Sequence, residues 1–137
     1  MAAPATPRPS DFFALTRLLL VPSVFAEPFG RVAAESLING IPALVSNRGG
    51  LPETVDDGGV VLPLPDWITQ DSRELPSPEE VRPWIETICD LWDHPDRYRA
   101  AAARARATAE RRYDEAVMRA QYRDYFESLG PPERLFD

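Results

Sequence analysis

Short apolar runs alternate with helically spaced segments in the first half of the chain, and amphipathic helical spacing takes over in the second. Arg17-Leu18-Leu19-Leu20-Val21 stops at Pro22-Ser23, and a short continuous apolar run of this kind reads as a buried strand of a parallel sheet over residues 18–21. Pro42-Ala43-Leu44-Val45-Ser46 repeats the signature before Gly49-Gly50 breaks it, and Gly59-Val60-Val61-Leu62 supplies a third run. Between the first two, Val32, Leu37 and Ile38 are spaced for one face of a helix over residues 31–38, with Asn39-Gly40 as its stop. Pro52-Glu53 opens a brief helix with proline in the first turn. Strands alternating with helices predict a βαβαβ unit, an α/β fold with a parallel sheet of about three strands flanked by helices.

Beyond Pro63 the pattern changes. Residues 65–76 read as a loop, and Ser77-Pro78-Glu79-Glu80 combines an N-cap, proline at the first helical position and a capping box. Val81, Ile85, Ile88 and Trp92 then fall on one stripe, with Cys89 beside it as a buried packing residue. Asp93-His94-Pro95-Asp96 restarts the helix, giving an alanine-rich segment over residues 96–112 and another over 114–129, before Gly130-Pro131-Pro132. His94 is therefore a cap or loop residue, and Trp67, Trp84 and Trp92 are read as packing residues. At the other end, a short helix fits residues 11–16. The expected organisation is a flexible tail over 1–10, an α/β unit over 11–113 and a C-terminal helix and tail over 114–137.

Composition narrows the class of protein. With 137 residues, 44% hydrophobic and 27% charged, the chain suits one globular domain and not a disordered one. Its 15 prolines are about twice the usual share. The net charge is −7 and every basic residue is arginine; this balance disfavours nucleic acid and anionic membrane as partners. The arginines of the last helices are interspersed with Glu110, Asp114 and Glu115 and read as a solvated face. One cysteine permits no internal disulfide, which fits a reducing compartment, and no run approaches the roughly 20 apolar residues that span a bilayer. A cytoplasmic protein is expected.

The chemistry lies in Glu27-Pro28-Phe29-Gly30-Arg31-Val32-Ala33-Ala34-Glu35, where two carboxylates with seven residues between them follow a strand and open a helix. Amides of Phe29, Gly30, Arg31 and Val32 at a helix start point outward, where the helix dipole favours an anion such as a diphosphate. Gly30 has no side chain to hold a ligand oxygen away. Arg31 is placed to contact phosphate or to sit on the surface. Ionised carboxylates accept only, so Glu27 and Glu35 on either side of a phosphate suit sugar diols. A glycosidase-like carboxylate pair is the weaker reading. With no His/Cys cluster, no metal site is expected.

Glu27-Pro28-Phe29-Gly30…Glu35, followed in order by Gly40-Ile41-Pro42 and Gly49-Gly50-Leu51-Pro52-Glu53, resembles the second domain of retaining GT-B glycosyltransferases of the family 4 type, over roughly residues 11–113. The resemblance implies a nucleotide-sugar site in a Rossmann-like domain. Glu27 would lie near the hexose hydroxyls, the Phe29 and Gly30 amides near hexose and phosphates, and Glu35 on the ribose diol. Gly49, Gly50 and Glu53 would shape the neighbouring wall. It implies transfer of a hexose with retention, with no cofactor beyond the donor substrate and no Asp-x-Asp metal motif.

The chain also departs from that pattern. The acceptor domain and the opening strands of the donor domain have no counterpart here, nor has the Arg/Lys pair that clamps the diphosphate in the family. The three strands would correspond to strands 4, 5 and 6 of a doubly wound sheet, whose ligand lies between strands 1 and 4. The expectation is a donor-domain piece, inactive alone, whose first strand leaves an unpaired edge. That edge would invite a complementary glycosyltransferase half or self-association. The rival reading is a non-catalytic α/β module that docks a partner protein through this edge or its helices.

Overall fold

The computed structural model describes residues 8–130. Residues 1–7 of the expected tail and the Pro131-Pro132 stop lie outside that range. The elements are α1 (Pro9–Phe13), β1 (Leu19–Val21), α2 (Arg31–Ile38), β2 (Ala43–Ser46), α3 (Leu51–Val55), a 3-10 turn (Asp56–Gly58), β3 (Val60–Leu62), α4 (Pro78–Asp93), α5 (Pro95–Tyr113) and α6 (Glu115–Ser128). Each strand begins one residue later than the apolar pattern suggests. α1 starts at Pro9, earlier than expected and inside the stretch read as a tail.

The three strands run in the order β1-β2-β3, all parallel. Leu19 pairs with Ala43 and Val21 with Val45, while Leu44 pairs with Val60 and Ser46 with Leu62. Side chains alternate across the pleat, so the sheet feeds two cores. Leu19, Val21, Ala43 and Val45 pack with Ala33, Leu37, Leu51 and Val55 and with Ala105 and Ala109 of α5. Leu44 and Leu62 pack on the other face with Trp84, Leu91 and Ala101. β2 is buried along its whole length, as a central parallel strand must be. Among the described residues β1 pairs only with β2, so its outer edge is open.

Two helices present a different face from the one their apolar spacing suggests. In α2 the buried positions are Ala33, Ala34, Ser36 and Leu37, whereas Val32 and Ile38 are exposed. The helix lies against sheet and α5 at once, and close approach there selects alanine over larger side chains. In α4 the inward stripe is Trp84, Ile88 and Leu91, while Ile85 is 54% and Trp92 57% exposed. Two apolar stripes overlap on this helix, and a shift of one residue turns the buried face by about 100°. Cys89 goes outward with that rotation and is exposed, correcting the expectation of a buried thiol.

Of the three tryptophans only Trp84 is core. Trp67, 43% exposed, donates its ring N–H to Glu80 Oε1 at 2.8 Å. That bond, followed by the Ser77 amide, holds the Glu80 carboxyl below its ordinary range. The same Glu80 closes the capping box with Ser77, so one side chain fixes both the 65–76 loop and the start of α4. Trp92 lies under the Arg17 guanidinium, 4.7 Å from its ring centre, with Tyr98 at 4.6 Å. His94 ends α4 and begins α5, with its Nδ1 3.0 Å from the Asp90 carbonyl.

Candidate functional site

All three parallel strands deliver their C-terminal ends to the same side of the molecule, where ligands of open α/β sheets bind. β1 runs into the loop 22–30 and then α2. β2 runs into Asn47-Arg48-Gly49-Gly50 and then α3. These two loops are bonded together: the Gly50 amide donates to the Glu27 carbonyl at 2.6 Å. A Cβ on Gly49, whose φ is +56°, would lie 2.3 Å from that same carbonyl oxygen. Glycine at 49 is thus required by the closeness of the two main chains and by the left-handed backbone.

Gly30 is the N-cap of α2 with φ +80°, and a Cβ there would meet Leu51 Cδ2 at 2.4 Å. The buried face of this glycine is filled by α3. Its conformation turns the chain so that α2 begins directly after the Glu27-Pro28-Phe29 segment. The Gly30 carbonyl takes the amides of Ala33 and Ala34, while the Arg31 and Val32 amides lie at the helix start, where no intrahelical acceptor exists.

Glu27 is half-buried and accepts a hydrogen bond at Oε1 from the Ser23 hydroxyl, 3.1 Å away. Ser23 is itself held through its carbonyl by the hydroxyl of Ser46, at 2.7 Å, and Ser46 is fully buried at the end of β2. Phe29 is 48% exposed; its carbonyl accepts from the Thr54 hydroxyl, and its ring meets Tyr113 edge-on at 6.0 Å. Tyr113 in turn donates to the Thr54 carbonyl at 2.6 Å, and burial pushes its phenol above the ordinary range. The last residue of α5 therefore braces the Phe29 segment from behind.

A small cavity of about 90 Å³ is lined by Pro28, Phe29, Gly50, Glu53, Thr54 and Arg112. It gathers Phe29, Gly50 and Glu53 and adds Arg112, which pairs with Asp56 at 3.3 Å. Glu35 stands one turn inside α2, its carboxylate 3.4 Å from Arg31 Nε. Arg31 is almost wholly exposed, and among the described residues its charged partner is Glu35 on the helix surface. The structure therefore brings Glu27, Phe29, Gly30, Gly49, Gly50 and Glu53 into one contact network, with Arg31, Val32 and Glu35 extending along α2.

Sequence patterns alone miss Ser23, Ser46, Thr54, Arg112 and Tyr113. Ser46 carries a faint signal, a hydroxyl closing an otherwise apolar central strand. On the far side of the β2 loop, Arg48 Nη2 donates to the Pro65 carbonyl at 2.7 Å and the Asn47 side chain accepts from the Leu64 amide at 3.1 Å. These bonds tie the loop after β3 to the same rim. Among the described residues no group of His, Cys, Asp and Glu is placed to hold a metal, and no helix is long and apolar enough to cross a membrane.

A family described as GT4-conflict, family 4 glycosyltransferase in conflict systems, matches residues 11–119. The chain belongs to that family. It also resembles solved structures of HepE (Alr3699) from Anabaena. The HepE complex with UDP is 26% identical with a TM-score of 0.63, over 85% of this chain and 29% of that one. The complex with UDP-glucose is 25% identical, TM-score 0.59, over 85% and 29%. The complex with UDP and glucose is 24% identical, TM-score 0.64, over 85% and 28%, a likeness of fold. This family 4 chain thus spans less than a third of the length of HepE. No curated protein matches it significantly. The three-stranded parallel sheet with flanking helices is a GT-B glycosyltransferase architecture.

Proposed function

We propose that the chain is the donor-binding part of a retaining glycosyltransferase, which moves a hexose from a nucleoside diphosphate to an acceptor hydroxyl. The observation that carries this reading is the start of α2: amides at a helix N-terminus, a half-buried Glu27 just before it and Glu35 one turn inside it. In this reading the amides of Gly30, Arg31 and Val32 meet the diphosphate, where the helix dipole favours negative charge. Glu27 accepts from hexose hydroxyls, with the Phe29 and Gly30 main chain alongside, and Glu35 accepts from the ribose diol. Gly49, Gly50 and Glu53 form the adjoining wall. HepE, in complex with UDP and with UDP-glucose, supports a nucleotide sugar as the ligand class.

Bond cleavage at the anomeric carbon places growing negative charge on the departing diphosphate. Preorganised amides facing that charge are worth most in the transition state, and holding leaving group and acceptor in position on the same face of the sugar, as retention requires, supplies the remaining advantage. Glu35 must exchange its surface pair with Arg31 for the ribose hydroxyls, a small cost because exposed pairs contribute about 0–1 kcal/mol. The test is ligand-observed NMR with UDP, GDP, ADP and their hexose conjugates beside Glu35→Ala. The variant should bind about ten- to 150-fold more weakly. Nucleotide binding left intact by the substitution would refute the assignment.

A second reading is favoured by the open edge of β1. A groove beside it, about 530 Å³ and lined by Phe12, Leu15, Leu20, Ile88 and Trp92 among others, would accept a partner polypeptide, either a complementary glycosyltransferase half or a second copy. Docking there is indifferent to Glu35, which separates the two readings.

A further inference from the structure

A carboxylate on a loop has three side-chain torsions to order before it can read a sugar. Two groups of Glu27 are fixed by residues of the loops that follow β1 and β2. Its carbonyl is held by the Gly50 amide at 2.6 Å, and its Oε1 by the Ser23 hydroxyl at 3.1 Å. Ser23 is not free to follow the carboxylate, because its own carbonyl takes the hydroxyl of the fully buried Ser46 at 2.7 Å. A rigid central strand thereby reaches the carboxylate through two successive hydroxyls. Among the described residues no hydrogen bond reaches Glu27 Oε2, which leaves that oxygen for a ligand hydroxyl.

We propose that Ser23, anchored by Ser46, is the positioning residue that aims the Glu27 carboxylate at the donor's sugar hydroxyls and so sets the preference for a nucleotide sugar over the free nucleotide. This deepens the donor-site reading and rests on it. Ser23 itself makes no contact with ligand; its hydroxyl spends its proton on Oε1, which lowers the ordering cost that sugar binding would otherwise carry. The nucleotide portion, held at α2, is outside its influence.

The test measures affinity of the full chain for UDP and for UDP-glucose by calorimetry, in the wild type, Ser23→Ala, Ser23→Thr and Ser46→Ala. Ser23→Ala should weaken UDP-glucose about five- to tenfold and leave UDP within about twofold, and Ser23→Thr, which keeps the hydroxyl, should restore the preference. Ser46→Ala should show the same selective loss at smaller size, which keeps the test available if Ser23→Ala unfolds. A merely structural serine would weaken both ligands together. Equal loss for both, or no loss for either, overturns the positioning role and leaves the donor site standing. A wild type that binds neither ligand, nor the GDP and ADP counterparts, overturns the donor-site reading and the proposal with it.

Discussion

The Gly50 amide donates to the Glu27 carbonyl at 2.6 Å, so the loop that follows the central strand is bonded to the loop that carries the first carboxylate of the candidate site. This contact makes the Gly49-Gly50 pair part of the site's framework and not only a turn. Both glycines would bring a Cβ within 2.5 Å or less of the 27–28 main chain. Neither neighbour is a side chain that can swing away.

Gly49→Ala combines that clash with a left-handed backbone at φ +56°. The expected cost is about 1–3 kcal/mol, read as a lower urea midpoint. An unchanged midpoint would mean that the two loops are not interlocked.

Tyr113→Phe removes the phenol that donates to the Thr54 carbonyl and keeps the ring against Phe29. Stability should fall by about 0.5–1.5 kcal/mol, and the amide resonances of Phe29 and Gly30 should shift. In the wild type the Tyr113 phenol should ionise above the ordinary tyrosine range, because burial disfavours the phenolate. Ultraviolet titration of the wild type and variant isolates that one group.

Asp57 accepts from the Thr108 hydroxyl at 2.6 Å and from Arg111 at 2.7 Å. These bonds, Thr108 first, hold its carboxyl below the ordinary range. Protonation therefore occurs at lower pH in the folded chain than in the unfolded one. The stability that Asp57 contributes is present above its unfolded pKa of about 3.9 and is lost as pH falls through the depressed folded value. Thermal melts between neutral pH and about pH 3 should show a weaker acid dependence in Asp57→Asn than in the wild type.

Cys89 should react with a thiol reagent in the native protein at nearly the rate found in denaturant, since it is exposed. Slow native labelling, accelerated by denaturant, would restore the buried position that the apolar stripe of α4 suggests.

That stripe shows where the sequence is legible and where it is not. Strands bounded by Pro22-Ser23, Gly49-Gly50 and Pro63 are recognisable because a parallel sheet demands continuous apolar runs between stops, and α2 is recognisable from its glycine boundaries. The inward face of α2 is hidden because Ala33 and Ala34, small enough for close packing, carry little hydrophobic weight beside Val32 and Ile38. The face of α4 is hidden by two overlapping stripes, of which Trp84 and Leu91 lie on the buried one. Within the site, Glu27, Phe29, Gly30 and Glu35 are contiguous enough to be read as a motif. Ser23 and Tyr113 act through partners 23 and 59 positions away, and no local pattern encodes such contacts.

The most direct test of the central claim is an amide-resolved NMR titration of the full chain with UDP-glucose. Binding at the start of α2 predicts saturable shifts at Gly30, Arg31 and Val32, with smaller ones at Gly49 and Gly50, all lost in Glu35→Ala. Saturable shifts confined to Leu19, Leu20 and the α4 face, or none from a folded chain with UDP-glucose or its GDP and ADP counterparts, would contradict it.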